Sequence, residues 1–234
     1  MSKKMIFLTS FVLVLSVALT SVADAALPGL IGWWKLDEMS GTIAFDSSGL
    51  GNDGTLGGNP QWVAGIKDGA LDLDGSGDYV AIDGVADDIT NNNFSVIAWI
   101  KTTQTNDGCV IGANHGTSSH DFIFGVDQGS FMMEAESLNT YPPAINDDQW
   151  HFIAYVRDGS TAYAYVDGGL RGTETPSGNP AGENRWSIGQ EWDDSSPSDE
   201  FNGMVDDVRF YNYALSLGEV AWLAGRTEPF DKPF

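Results

Sequence analysis

The chain has 234 residues, of which 33 are acidic and 11 basic, so its formal net charge is −22 at pH 7. Such a charge repels nucleic acid and anionic membrane surfaces, and it favours solubility and cations. The length suits one domain with a sizeable core, and the single cysteine, Cys109, excludes an intrachain disulfide.

The first 25 residues have the pattern of a secretory signal peptide. Lys3 and Lys4 precede an apolar run over 5–19, and Ala23-Asp24-Ala25 supplies the small residues of a cleavage site. We therefore expect a mature chain that begins at Ala26 and is secreted, extracellular or periplasmic; an uncleaved N-terminal anchor is the alternative. No second long apolar stretch follows, so the mature chain is not expected to span a membrane.

Short alternating or β-branched runs, separated by Gly, Asn and Asp, predict an all-β domain over 26–225. Turns are indicated at 52–54, 74–77, 158–159 and 167–169. The predicted strands are 32–36, 70–73, 79–82, 94–101, 110–112, 121–126, 131–135, 150–157, 162–166, 186–188 and 202–211.

One short helix is predicted near the C-terminus. Ser216 can cap it, Glu219 can reach back to the cap three residues later, and Gly225 ends it. Residues 226–234, which contain two prolines, are expected to form a loose tail.

In this order the segments resemble the bacterial laminin-G-like family of the concanavalin A-like lectin/glucanase superfamily. The resemblance begins at Gly29-Leu30-Ile31-Gly32-Trp33-Trp34-Lys35-Leu36-Asp37-Glu38 and ends at Asp206-Asp207-Val208-Arg209-Phe210-Tyr211-Asn212, followed by Ala214-Leu215-Ser216 and Glu219. Between them lie the matching segments 46–49, 51–54, 69–71, 74–75, 78–80, 94–99, 150–152, 165–168, 187–189 and 201–203. The resemblance implies a jelly-roll β-sandwich of two antiparallel sheets, and because this architecture hosts lectins, adhesins, hydrolases and lyases, it implies no single function. Some members carry a late cysteine pair, which this chain lacks.

The resemblance also implies a structural calcium ion. In related glycanases such an ion joins an early acidic residue to an Asp near the C-terminus, and the matching residues here are Glu38 and Asp206. Carboxylates and backbone carbonyls are suitable calcium ligands. In the alternative interpretation, Asp206 accepts hydrogen bonds from turn amides and Glu38 is solvated.

The sequence contains no glycanase acid triad. The string Glu-x-Asp-x-x-Glu, which places nucleophile and acid on one strand, does not occur. We therefore expect no catalytic activity. A lyase that uses His120 with Tyr141 remains an open alternative.

Sugar sites combine an aromatic face with carboxylate and amide hydrogen bonds. Three segments interpreted as loops, 114–121, 136–141 and 190–200, contain such residues. The candidate ligand-binding residues are Asn114, His115, His120, Tyr141, Trp192 and Asp193. Trp192, in an acidic and Ser-rich segment, is the strongest of these candidates; alternatively, it folds onto the edge of the sandwich.

The sequence therefore predicts a secreted, non-catalytic module that binds a carbohydrate or an extracellular protein and is stabilised by calcium. A glycoside hydrolase or polysaccharide lyase on the same scaffold, and a domain that binds only proteins, are the alternatives.

Overall fold

The computed structural model of the chain describes residues 28–90, 92–115, 122–134, 139–176, 180–193 and 196–226. The predicted signal peptide lies outside the described residues, as does the predicted tail after Arg226. The strands are β1 (Leu30–Trp34), β2 (Ile43–Ala44), β3 (Gly54–Gly57), β4 (Gln61–Ala64), β5 (Gly69–Asp74), β6 (Tyr79–Ala81), β7 (Phe94–Thr102), β8 (Gly108–Asn114), β9 (Phe122–Asp127), β10 (Ser130–Glu134), β11 (Asn139–Ala144), β12 (Trp150–Asp158), β13 (Thr161–Val166), β14 (Gly169–Glu174), β15 (Arg185–Ile188), β16 (Glu191–Asp193), β17 (Ser196–Ser198) and β18 (Asn202–Tyr211).

Two large antiparallel sheets form a β-sandwich, as the sequence predicts. The first sheet has the order β14-β13-β12-β7-β18-β5-β4, with β1 also paired to β18. The second sheet has the order β11-β10-β9-β8-β15-β6-β3-β2. Strands β16 and β17 form a separate hairpin.

The core lies between the two large sheets because alternate side chains of each strand point inward. Its centre contains aromatic rings from both sheets. The rings of Trp186 and Phe210 meet edge to face, with centroids 5.5 Å apart, and Trp34 meets Phe210 in the same way at 5.7 Å. Burial of this apolar surface is the main stabilising contribution to the fold.

A short helix, α1 (Leu217–Leu223), covers part of the outer face of the first sheet. Ser216 accepts a hydrogen bond from the Glu219 amide, and Glu219 Oε2 accepts one from the Ser216 amide, so the predicted capping box is present. Val220 and Leu223 pack with Phe152 and other residues of the first sheet. In the described part of the chain, no helix is long and apolar enough to cross a membrane.

Each predicted strand overlaps a strand of the structure, but several strands were not predicted. The sequence predicts loops for the segments containing Tyr141 and Trp192, but Tyr141 lies on β11 and Trp192 on β16. Asn114 is the last residue of β8. Pro142 and Pro143 obscure the strand pattern in the first segment, and β16 has only three residues, too few for a visible alternation.

Candidate functional site

The candidate site lies on the outer face of the second sheet, where β8, β15 and β6 are neighbours. Trp186 is fully buried in the core, so Arg185 and Ser187 on either side of it project to the outer face. Arg185 pairs in register with Asn114, and Ser187 lies between Gly112 and Ala81.

The β16–β17 hairpin folds over this part of the sheet. A Cβ atom on Gly112 would lie 2.7 Å from the Gln190 carbonyl oxygen and 2.9 Å from Glu191 Cα, so the hairpin backbone can approach only because residue 112 has no side chain. Two side chains of the sheet hold the hairpin: Asn114 Nδ2 donates to the Trp192 carbonyl at 2.7 Å, and Ser187 Oγ donates to the Gln190 carbonyl at 2.7 Å.

These contacts place Trp192 between two residues of the sheet. The Tyr79 and Trp192 rings meet edge to face, with centroids 5.7 Å apart, and the Arg185 guanidinium carbon lies 4.6 Å from the Trp192 ring centroid. Trp192 remains partly exposed. We call Tyr79, Asn114, Arg185, Gln190 and Trp192 the Trp192 site.

Several polar atoms of the Trp192 site are buried without a hydrogen-bond partner. They are Asn114 Oδ1, Arg185 Nη1, Gln190 Oε1, Gln190 Nε2 and Trp192 Nε1. Asn114 and Gln190 are both fully buried. Most buried polar groups in proteins are hydrogen-bonded, so this concentration of unpartnered donors and acceptors is unusual.

Two acidic residues flank Trp192 in the chain. Asp193 is exposed beside Trp192, whereas Glu191 is buried and accepts a hydrogen bond from Ser198 Oγ at 2.9 Å.

Burial raises the pKa of the Cys109 thiol well above its ordinary value, and the charges of Glu191 and Asp199 raise it further. The thiol is therefore protonated at neutral pH and is not poised as a nucleophile.

The structure brings only some of the predicted ligand-binding residues together. Asn114, Trp192 and Asp193 lie together, because the Asn114 side chain holds the backbone of the hairpin that contains the other two. His115 follows Asn114 in the chain, but its ring Nδ1 lies 2.8 Å from the Gly182 carbonyl oxygen. His120 lies outside the described residues. The open alternative of a lyase that pairs His120 with Tyr141 is therefore not addressed by the described geometry.

Tyr141 lies apart from the Trp192 site. Its strand, β11, is three strand positions from β8, a separation of about 14 Å at the usual strand spacing. The ring is buried, and its hydroxyl donates to Glu174 Oε2 at 3.3 Å. Burial raises the pKa of Tyr141, and the charge and hydrogen bond of Glu174 raise it further.

The two predicted calcium ligands have different surroundings. Glu38 Oε1 accepts a hydrogen bond from the Phe45 amide at 2.8 Å, and Glu38 Oε2 has no partner. Asp206 is fully buried at a cavity of about 130 Å³. This cavity is lined by Trp33, Lys35, Asp37, Lys67, Asp68, Asp206, Asp207 and Arg209.

Asp206 has one occupied and one free carboxylate oxygen. Its Oδ2 accepts hydrogen bonds from the Ile66 and Lys67 amides at 2.9 and 3.0 Å, whereas its buried Oδ1 has no partner. Burial raises the pKa of Asp206 to about 7 against the lowering effect of these amides, and the charges of Asp207 and Asp37 add to the rise. The free oxygen fits a cation, but no group of three or more His, Cys, Asp or Glu side chains within the described ranges could hold a metal ion.

Sequence reasoning missed Tyr79, Arg185 and Gln190. The alternation around the core residue Trp186 could have indicated that Arg185 projects outward beside Ser187. No sequence signal places Tyr79 against Trp192, because that contact depends on where the hairpin folds.

Comparison with protein families gives one match. Residues 74–221 match the family model described as the concanavalin A-like lectin/glucanases superfamily. No curated protein matches the sequence.

Solved structures share this fold at low sequence identity. Domain 4 of AbnA, a GH43 extracellular arabinanase from Geobacillus stearothermophilus, in complex with arabinotriose, is 21% identical with a TM-score of 0.66; the match covers 83% of this chain and 98% of that domain. The botulinum neurotoxin serotype D/C binding domain is 13% identical with a TM-score of 0.63, and the match covers 84% of this chain and 52% of the toxin chain. The botulinum neurotoxin DC binding domain in complex with rat synaptotagmin II is 14% identical with a TM-score of 0.63, over 84% of this chain and 51% of that one. The chain thus spans about half the length of these toxin chains.

Proposed function

Because the chain belongs to the concanavalin A-like lectin/glucanase superfamily, we propose that it is a non-catalytic module that binds carbohydrate through the Trp192 site. The observation that carries this proposal is the partly exposed Trp192 ring, held by Tyr79 and Arg185 next to unpartnered amide atoms of Asn114 and Gln190. An aromatic surface bordered by hydrogen-bonding groups matches a sugar, which has apolar ring faces and polar edges. The arabinanase domain of the same fold, in complex with arabinotriose, supports this choice of ligand class.

A glycan array probed with the chain and with two Trp→Ala variants tests the proposal. Trp192→Ala should weaken glycan binding by about 1–3 kcal/mol, a typical effect of removing an anchoring aromatic residue. Trp222→Ala is the matched control, because Trp222 is also partly exposed but lies on α1, at the opposite sheet. Equal losses of glycan affinity in both variants would show that the binding site does not depend specifically on Trp192. A chain that binds no glycan would contradict the proposed carbohydrate-binding function.

A protein ligand is the second candidate. The neurotoxin binding domain in complex with synaptotagmin II, which shares the fold, favours it. Capture of an extracellular protein by the chain, unaffected by Trp192→Ala and without binding to any glycan, would support this alternative.

The proposal of a non-catalytic module rests on the missing acid triad. Incubation of the chain with the polysaccharides it binds should release neither reducing ends nor unsaturated sugars. Release of either product would identify the chain as a hydrolase or a lyase.

We also propose that the chain is secreted and that a calcium ion stabilises it. Asp206 Oδ1 and the neighbouring Asp37 would contribute carboxylate oxygens, with carbonyl groups as further ligands. Glu38, the other predicted ligand, has one oxygen occupied by the Phe45 amide. For secretion, mass analysis of the exported protein should find Ala26 at its N-terminus, and retention of residues 1–25 would contradict a cleaved signal peptide.

A further inference from the structure

A polar cavity of about 160 Å³ lies on the outer face of the first sheet, away from the cluster that packs under α1. Its floor comes from three neighbouring strands, β5, β18 and β7. Met204 pairs in register with Asp72 on one side and with Lys101 on the other, so the three side chains form a row across the sheet. We call this cavity the Met204 pocket; its other lining residues are Thr102, Thr103, Asp148, Asn202 and Gly203.

The Met204 pocket is accessible without any movement of the chain. Asp72, Lys101 and Met204 are each partly exposed, whereas the alternate residues of the same strands are buried in the core and hold the strands in place. About 10–15 Å³ is enough for one water molecule, so the cavity admits a much larger group, such as one sugar ring. It shares no lining residue with the Asp206 cavity.

The pocket places an apolar floor between hydrogen-bonding groups of opposite kinds. The Met204 thioether lies between a carboxylate, which only accepts hydrogen bonds, and an ammonium group, which only donates them. Trp150 pairs in register with Lys101 and is partly exposed on the same face, so an aromatic ring extends the row. A sugar ring matches this arrangement, because it has an apolar face and a rim of hydroxyls that both donate and accept.

The charges of the pocket favour an uncharged ligand. Lys101 Nζ already lies 3.4 Å from Asp148 Oδ1, so its charge is largely neutralised. Burial raises the pKa of Asp72, and the charges of Asp74 and Asp78 raise it further. A hydroxyl that donates to Asp72 would stabilise the carboxylate, whereas an anionic ligand would add to the repulsion. An ammonium group on the ligand would be repelled by Lys101.

We propose that the Met204 pocket is a second carbohydrate-binding site, which takes one ring of an uncharged saccharide through Asp72 and Lys101. The pocket and the Trp192 site lie on opposite faces of the sandwich, so one chain binds two saccharides at once. The proposal rests on the proposed carbohydrate-binding function and adds a site to it.

Calorimetric titration of the Trp192→Ala protein isolates the Met204 pocket. At least one of arabinotriose, xylotriose, cellotriose and mannotriose should still bind to this variant. Adding Asp72→Ala should weaken the remaining binding by about tenfold or more, a typical effect of removing a charged hydrogen-bond acceptor. The melting temperature should stay level or rise, because the substitution removes a charge that Asp74 and Asp78 repel.

Asp158→Ala on the same background is the matched control. Asp158 is also an acidic residue of the first sheet, but it is exposed at the other end of β12 from Trp150 and should leave the affinity unchanged. Binding that Trp192→Ala abolishes completely, or residual binding that Asp72→Ala leaves unchanged, would overturn the second site while leaving carbohydrate binding intact. Absence of binding of every sugar to the unaltered chain would instead contradict the proposed function.

The glucosamine trimer derived from chitosan tests the charge of the ligand. It differs from cellotriose in carrying ammonium groups in place of some hydroxyls. The Trp192→Ala protein should bind cellotriose at least as tightly as this trimer, with an affinity that changes little with ionic strength because no ligand charge is screened. Tighter binding of the trimer, weakened by salt, would overturn the preference for an uncharged saccharide.

Discussion

Two consecutive buried carboxylates, Asp206 and Asp207, show how strongly neighbouring groups determine the pKa of a residue. Asp206 Oδ2 accepts hydrogen bonds from two backbone amides, Asp206 Oδ1 has no partner, and the pKa of Asp206 is raised. Burial would also raise the pKa of Asp207, but the charge and hydrogen bonds of Arg209 and Lys67 lower it below its ordinary value. Asp207 also accepts a hydrogen bond from Trp33 Nε1 at 2.7 Å.

Asp207→Asn should destabilise the protein by about 3–5 kcal/mol, because the substitution leaves the buried Arg209 guanidinium without its countercharge. Urea unfolding measures this change. Asp148→Asn is the matched control: Asp148 also has a positive φ and lies 3.4 Å from Lys101, but it is exposed, so its loss should cost less than about 1 kcal/mol. Similar costs for the two variants would show that the Asp207 network is not stabilising.

Trp192 is neither fully exposed nor a core residue. The sequence left open whether it forms a binding surface or folds onto the edge of the sandwich; in the structure the ring packs on Tyr79 and Arg185 and is partly exposed. Partial packing of this kind fixes the orientation of a ring and so reduces the entropy lost on binding.

Among the elements, the β16–β17 hairpin contributes Trp192 to the candidate site, and Gly112 determines where the hairpin lies on the sheet. The hairpin backbone comes so close to β8 that only glycine fits at this position. Hairpin and sheet therefore meet through backbone contact, and the two side-chain bonds from Asn114 and Ser187 add to it.

Gly112→Ala should displace the hairpin, because the added methyl group would overlap the backbone of Gln190 and Glu191. We expect a loss of about 1–3 kcal/mol of stability from overpacking, together with weaker glycan binding. Gly169→Ala serves as the control, since its nearest neighbour would lie 3.5 Å away. Denaturant unfolding and titration of both variants provide the measurement, and a Gly112→Ala protein with unchanged binding would show that the hairpin position does not matter for the ligand.

For the whole molecule, the excess of acidic residues produces self-repulsion that a bound cation would relieve. The single cysteine, Cys109, excludes an intrachain disulfide, so no such cross-link stabilises the fold. Asp206 is the proposed ligand, because its Oδ2 accepts hydrogen bonds from the Ile66 and Lys67 amides and its buried Oδ1 has no partner.

Calcium should raise the melting temperature if it binds at Asp206. At free calcium about 100 times the dissociation constant, the gain is about 2.7 kcal/mol, which corresponds to a shift of several degrees for a domain of this size. EDTA should reverse the shift, and Asp206→Asn should abolish most of it. Sodium chloride at equal ionic strength controls for screening of the net charge, and an equal shift with sodium chloride would contradict a specific calcium site.

The fold class and most elements of this protein follow from its amino-acid pattern. Alternating apolar residues and Gly- or Asp-containing turns predicted the long strands, and the Ser216–Glu219 box predicted the start of α1. These signals are local, since each depends on residues a few positions apart, and local preferences that agree with one another specify secondary structure well.

Which side chains contact one another depends on the three-dimensional fold and could not be predicted from the sequence. The fold brought Asn114 to Trp192 but left Tyr141 on β11, three strand positions from β8 in the same sheet. It added Tyr79 and Arg185 to the site and placed Asp37 at the Asp206 cavity. The reason is physical: contacts between residues distant in the chain depend on strand order, register and the fold of the hairpin, and a one-residue shift of register would turn each of these side chains to the opposite face.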